Sequence, residues 1–378
     1  MPSVYINAIA KFLPNDPIPN DRMETVLGVV NGAPSRARAI VLRNNRITSR
    51  YYAISDDGQP THNNAELTIE AINRVVKQSG IDKSAIDVLS CGTSTPDQLL
   101  PSHASMVHGL WKNKAMELNS ASGICTSGMN ALKYAYMAVA TGNASYAVST
   151  GSERVSSWLR ADKFTNESER LAALQQNPII AFEKDFLRWM LSDGAGAMLL
   201  SDRPNDDRIS LCIHWVDGIS YAHELEPCMY AGAIKENGKL IPWSDTSPES
   251  WLGQSVFAIK QDIKLLESSI ILKGVESIQH VLQKHKLEAT EIDHFLPHIS
   301  SFFFKDRLAE AFAAAGVDIP DEKWFINLDK IGNVGSASSY IQLEELFNTR
   351  SLKKGEKILL SVPESGRFSY VYALLEVS

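Results

Sequence analysis

The sequence has little cysteine, no basic excess and no long apolar run, and each shortage removes a class of protein. Four cysteines (Cys91, Cys125, Cys212 and Cys228) are scattered through 378 residues without a CxxC pair. That pattern argues against a disulfide framework and against a zinc site, so no metal is expected and a reducing cytoplasm is the expected compartment. The formal net charge of −7 disfavours nucleic-acid binding, and any anionic ligand must be met by a local basic cluster. No apolar stretch is long enough for a membrane span. The opening Met1-Pro2-Ser3-Val4-Tyr5-Ile6 reads as a strand without the basic leader of a signal peptide. What is present is ample: 44% hydrophobic residues support a large core or two fused half-domains.

The chain is best organised around Cys125. Ala115-Met116-Glu117-Leu118 has strand character, Asn119 to Thr126 turns sharply, and Ala131, Leu132, Tyr134, Ala135, Ala138 and Val139 recur at helical spacing until Gly142-Asn143. A thiol at such a bend faces unpaired backbone N–H groups and the positive end of a helix dipole, both of which favour thiolate. The competing reading is a small buried hydrophobe.

Elsewhere, Val4 to Ala8 reads as a strand, Asn63 to Gly80 as an amphipathic helix and Ile86 to Cys91 as a strand. Thr93 to Asp97 is a loop. Between Pro34 and Arg50 lie Arg36, Arg38, Arg43, Arg46 and Arg50, the one marked basic concentration. It is either a solvated helix face or a landing strip for a phosphate or an acidic carrier. The strand Tyr146 to Ser152 is followed by an insertion, Glu153 to Trp189, and by the Asp193-Gly194-Ala195-Gly196-Ala197 strand entry, which lacks the following helix of a dinucleotide site. The second part repeats the order with the loop Lys330 to Gly335, a helix from Ser336 to Asn348, and strands at Lys357 to Val362 and Tyr370 to Leu375. Cys125 and Asn333 then fall at matching corners. Alternating strands and helices imply α/β layers built from two duplicated halves, residues 1–203 and 204–378.

With the nucleophile turn, Ser192-Asp193-Gly194-Ala195-Gly196-Ala197, Phe295-Leu296-Pro297-His298 and Gly332-Asn333-Val334-Gly335-Ser336-Ala337-Ser338 in this order, the chain resembles the thiolase-fold condensing enzymes, and within them the ketoacyl synthase III branch. The resemblance implies a five-layered αβαβα fold, a homodimer, and thioester chemistry at Cys125 with no cofactor. The chemistry suits these residue types. A soft thiolate attacks an acyl thioester, and the tetrahedral oxyanion needs preorganised N–H donors. The backbone of Cys125 is one donor; the second, by resemblance, is at Ser365 in the loop Pro363 to Arg367, where relatives are richer in glycine. His298 and Asn333 suit the holding of an enolate oxygen, the bland alternatives being a satisfied core histidine and a simple turn residue.

Substrate signals are more open. Phe302-Phe303-Phe304 reads as core or as the wall of an alkyl channel, with Phe303 the candidate for that wall. By resemblance the loop ending at Leu100 closes the partner's acyl pocket in a dimer. Arg46 and Arg50 are candidates for substrate or carrier contact. Glu364 is a secondary candidate for a carboxylate that deprotonates a donor without loss of carbon dioxide. The insertion, with Trp158, Phe164, Phe182, Phe186 and Trp189, is expected to supply pocket wall. The expected activity is condensation of two acyl thioesters, of coenzyme A or acyl carrier protein, in fatty-acid-like or polyketide-like metabolism. The Arg46 to Tyr51 segment is similar to ketosynthases that build dialkylresorcinol and cyclohexanedione precursors, for which a separate aromatase would act later. The alternatives are an initiating ketoacyl synthase III, a papain-like cysteine hydrolase and a non-catalytic subunit of a condensing complex.

Overall fold

The computed structural model describes residues 2–30, 34–35, 38–164 and 187–378, the side chain of Phe164 excepted. Most of the insertion expected to wall the pocket, with Phe182 and Phe186, therefore lies outside the described residues, as does Arg36. Nine strands form one mixed sheet: β1 (Val4–Phe12), β2 (Val88–Thr93), β3 (Glu117–Ser122), β4 (Tyr146–Glu153), β5 (Gly194–Ser201), β6 (Leu211–Ser220), β7 (His294–Pro297), β8 (Lys357–Glu364) and β9 (Ser369–Val377). Six principal helices are α1 (Asn64–Ser79), α2 (His103–Trp111), α3 (Thr126–Ala140), α4 (Ile263–His285), α5 (Lys305–Ala314) and α6 (Ser338–Thr349). Local chemistry sets their ends. Asn63 and Glu66 form a reciprocal capping box at the start of α1, and Gly80, at φ 75°, stops it in the left-handed conformation.

The sheet order is β7-β8-β9-β6-β1-β5-β4-β2-β3. Counted in chain order, the first five strands are arranged third, second, fourth, fifth, first. The later strands follow the same scheme, with the third position taken by Trp324, which bridges Phe295 in parallel. Antiparallel pairing of Val4–Ile6 with Leu211–Ile213 joins the two groups.

Period-two alternation decides the layers. Along β9, Val371, Ala373, Leu375 and Val377 enter one core, whereas Tyr370, Tyr372 and Leu374 enter another. Along β5, Met198 and Leu200 join the first of these, and Ala195, Ala197 and Leu199 a third. The shared central core holds Leu132 and Ala135 of α3 with Tyr340 and Leu343 of α6. The outer cores are closed by α1 and α2 on one side, through Leu67, Ile72 and Val107, and by α4 and α5 on the other, through Leu266, Ile278 and Phe312. The result is the layered thiolase-like α/β fold, helices outside, helices between and sheet in two leaves. It excludes the papain-like alternative.

The starts of α3 and α6 meet backbone to backbone. A Cβ on Gly128 would lie 2.1 Å from the carbonyl oxygen of Ser336, and one on Gly151 2.3 Å from the same atom. Glu153 Oε1 accepts from the N–H groups of Ser336 and Ser94, each at 3.1 Å, while Oε2 accepts from the Thr95 hydroxyl at 2.6 Å. No side chain fits this seam. Replacing Gly151 with Ala should therefore cost about 1–3 kcal/mol or more, the usual penalty of overpacking against atoms that cannot yield. Urea unfolding measures it; a midpoint equal to that of the unaltered chain would show that the seam tolerates a methyl group.

Candidate active site

Cys125 sits between β3 and α3 with helical dihedrals (φ −63°, ψ −32°) and gives the helix no side-chain cap. The cap comes from the other half. Glu364, the last residue of β8, places Oε2 against the N–H groups of Ile124 (2.9 Å) and Thr126 (3.2 Å) and the Thr126 hydroxyl (2.5 Å). The positive end of α3 thus already faces an anion, and that anion is not the sulfur.

This corrects the expectation of a resting thiolate. The protein mass around Cys125 raises its thiol pKa well above the ordinary 9.0, Glu364 and then Glu153 add to the rise, and only its own backbone N–H opposes it. The magnitudes agree with that direction. A helix terminus contributes about 0.3–1 kcal/mol, or about 2 in favourable partly buried cases. Full burial shifts a pKa by as much as about 3–5, or about 4–7 kcal/mol at 1.36 kcal/mol per unit. Cys125 keeps partial exposure, and it lines the main cavity.

His298 follows directly on β7. Its backbone N–H donates to the Ser361 carbonyl at 2.8 Å, extending the parallel pairing with β8. Burial lowers its pKa from 6.5 to about 4, so the imidazole is neutral at pH 7 and carries one N–H donor. Asn333 is clamped by the first half, where its N–H donates to Met190 O (2.9 Å) and its carbonyl accepts from Ser192 N–H (2.8 Å), and its Oδ1 accepts locally from Gly335 N–H (2.9 Å). Gly332, at φ 76°, is required beside it, because a Cβ there would stand 2.9 Å from both the Arg50 Cγ and the Ser192 Cβ. Ser365 is fastened by Gln261, whose Nε2 donates to its Oγ at 3.0 Å, and by Met229 N–H, which donates to its carbonyl at 3.1 Å.

Cys125, His298, Asn333 and Ser365 line one cavity of about 810 Å³, its open mouth included. The other candidates stand apart. Arg50 is fully buried; Nε and Nη2 donate to the Trp189 carbonyl (3.1 and 2.5 Å) and Nη1 to Asn20 Oδ1 (2.5 Å). It cannot reach a substrate, and it supports the segment that clamps Asn333. Phe303 stacks edge-on against Phe304 and lies under the Arg307 guanidinium at 4.0 Å, while Phe304 is the one of the three successive phenylalanines that lines the cavity. Arg46 is on the surface, 3.8 Å from Asp306 and over the Phe302 ring. Leu100 is 85% exposed and does not line the cavity of its own chain. From the described part of the insertion only Leu187 lines it, with Met190 just beyond its end, whereas Trp158 does not line it and Trp189 is buried beside Arg50. Asp193 is structural: it accepts from Ala53 N–H at 2.7 Å and from Ser156. Sequence reasoning missed Glu153, whose signal was a charge closing an otherwise uncharged strand, and the cavity residues contributed by α4.

A family model described as 3-Oxoacyl-[acyl-carrier-protein (ACP)] synthase III C terminal matches residues 282–374, and one described as Thiolase, N-terminal domain matches residues 57–178. A β-ketoacyl-[acyl-carrier-protein] synthase III of Clostridium perfringens is 25% identical over 334 residues, covering 88% of either chain. Among solved structures, AbyA1, a tetronic acid condensing enzyme, matches with a TM-score of 0.77 at 20% identity over 99% of each chain. Xanthomonas campestris OleA with bound lauric acid and lauroyl-CoA matches with a TM-score of 0.73 at 18% identity, again over 99% of each. These two structural likenesses establish the fold.

The raised thiol pKa has a direct test. Thiolate is the species that alkylates, so the rate of Cys125 modification by iodoacetamide should keep rising past pH 9, and Glu364→Gln should move the profile to lower pH by removing a negative neighbour. A native profile that levels off at or below pH 8 contradicts the burial account. Arg50→Met should lower the unfolding midpoint, by the several kcal/mol that a disrupted buried polar network costs, without a selective rise in KM; a rise in KM at unchanged stability would restore Arg50 to substrate contact. In sequence the chain is similar to the β-ketoacyl-ACP synthases III, an acyltransferase family, and in fold to thiolase-like condensing enzymes.

Proposed function

We propose that the protein joins two acyl thioesters by a Claisen-type condensation through an acyl group held on Cys125. The observation that carries this reading is the convergence of Cys125, His298 and Asn333 on one largely apolar cavity. In the first half-reaction the sulfur attacks the thioester carbonyl, the N–H groups of Cys125 and Ser365 hold the oxyanion, and the departing thiol takes up the proton that the Cys125 thiol gives up. The exchange is proton-neutral overall, so a thiol that rests protonated is compatible with it. In the second, the α-carbon of the other thioester becomes nucleophilic by loss of carbon dioxide or of a proton. Its enolate oxygen is held by the neutral His298 imidazole and the Asn333 amide, and carbon attacks the acyl-sulfur carbonyl and expels the Cys125 thiolate, which regains its proton from water when carbon dioxide is lost and otherwise balances the α-proton given up.

The finer proposal is that both partners are fatty-acyl-derived chains, supplied by coenzyme A or acyl carrier protein, and that the product leads to a dialkylresorcinol or cyclohexanedione precursor, a downstream aromatase acting later. The apolar cavity and the Arg46 to Tyr51 segment support it. Leu99 and Leu100, 70% and 85% exposed, support a homodimer in which this loop meets the partner, and Arg46 remains the proposed contact for an acidic carrier. Initiation of chain synthesis from a short acyl primer is the second reading, favoured by the curated relatives named β-ketoacyl-ACP synthase III.

Intact-protein mass spectrometry with acyl-coenzyme A should show an adduct that Cys125→Ala abolishes; an adduct surviving that change defeats the proposal. Loss of either enolate donor, in His298→Ala or Asn333→Ala, should lower condensation about 10²–10³-fold while acylation persists. Equal loss of both half-reactions would contradict the separate roles.

A further inference from the structure

A second, smaller cavity of about 270 Å³, its opening included, also reaches His298. His298 and Ile299 line both cavities, and the smaller one is completed by residues that the main cavity does not touch, among them Asn327, Leu328, Ser338 and Gln342. Gln342 is the unexpected member of this wall. The helix α6 buries Tyr340, Ile341, Gln342 and Leu343 in succession, and an amide in such a run is costly unless its polar atoms are matched.

Half of that amide is matched. Gln342 Nε2 donates to the carbonyls of Pro297 and Phe325, each at 3.2 Å. Two carbonyl partners fix which end of the amide is nitrogen, so the oxygen is the atom left over. Gln342 Oε1 is buried and has no hydrogen-bond partner among the described residues. Buried polar atoms in that position are ordinarily satisfied by ordered water. The ring nitrogens of His298 likewise pair with no described residue, although its backbone N–H is engaged. A neutral imidazole has one N–H and one lone pair, and the partner of one nitrogen decides the role of the other. To hold an enolate oxygen, the nitrogen facing Cys125 must carry the hydrogen.

We propose that Gln342 is a positioning residue: through a water in the second cavity, its Oε1 fixes the His298 tautomer whose N–H faces Cys125. The water donates one hydrogen to Gln342 Oε1 and the other to the His298 nitrogen turned from Cys125. It accepts from the hydroxyl of Ser338, whose oxygen takes the Val334 N–H at 3.0 Å. Three partners are the usual complement of a buried water. Use of the N–H for an enolate rests on the condensing reading; the tautomer itself does not.

Magic-angle-spinning NMR of the full chain labelled with nitrogen-15 histidine reads the tautomer, the His298 signals being those lost in His298→Ala. The native protein should show one neutral tautomer. Gln342→Met, which keeps the length of the side chain and removes the amide, should bring in the second. It should also slow condensation about three- to tenfold, the worth of one hydrogen bond, at an unchanged rate of Cys125 acylation. Leu328→Phe fills the second cavity and leaves the Gln342 amide with its two carbonyls, so it should act in the same direction without disturbing those bonds, and it serves if Gln342→Met does not fold. An unchanged single tautomer in either folded variant, mixed tautomers in the native protein, or acylation falling in step with condensation overturns the positioning role. If the tautomer responds as expected and the native protein condenses no pair of thioesters, the hydrogen-bond assignment stands and the condensing reading fails.

Discussion

The backbone contact between two corners governs this molecule. Because neither Gly128 nor Gly151 carries a side chain, the Ser336 carbonyl closes onto both, and the start of the helix bearing Cys125 is pressed against the turn that follows Asn333. The contact is reinforced by Glu153, which reaches the Ser336 N–H from the end of its strand, and by the Tyr340 hydroxyl, which donates to the Gly128 carbonyl at 2.9 Å. Met190 and Ser192 then grip Asn333 from the opposite half. A fold made of two similar groups of elements needs such a seam before residues more than 200 positions apart can share one cavity.

The same seam fixes the electrostatics. Two buried or half-buried carboxylates, Glu364 and Glu153, satisfy the backbone donors that a helix start and a tight turn leave orphaned. Each stabilises its corner and each disfavours a negative sulfur. Burial and these carboxylates therefore favour the neutral thiol of Cys125, and His298, which lines the same cavity, is neutral for the related reason that charge is costly where water is scarce.

Much of this was legible in the residues. The strand, bend and helix around Cys125, the strand ending at His298 and the glycine-flanked Asn333 are local patterns, and local patterns survive in sequence. Their convergence on one cavity follows from the matching positions of Cys125 and Asn333 in two similar runs of elements. Arg50 was misread because burial is a tertiary property: an arginine in a basic stretch resembles a surface residue until Trp189 and Asn20 are seen to enclose it. Phe303 and Phe304 are neighbours in a 3₁₀ turn, about 120° of rotation apart, which sequence alone does not phase. The thiol was placed correctly, but its ionisation was misjudged because the carboxylate nearest it in effect, Glu364, is 239 positions away. The α4 helix gave no catalytic motif and so drew no attention, although its apolar face forms the far wall of the cavity.

The most direct test of the account is a crystal structure determined after incubation with a long-chain acyl thioester. The account predicts density continuous from the Cys125 sulfur, the carbonyl oxygen directed at the N–H groups of Cys125 and Ser365, and His298 and Asn333 facing the reacting carbon. An acyl group on any other residue, or one on Cys125 with His298 and Asn333 turned away from it, would contradict the account.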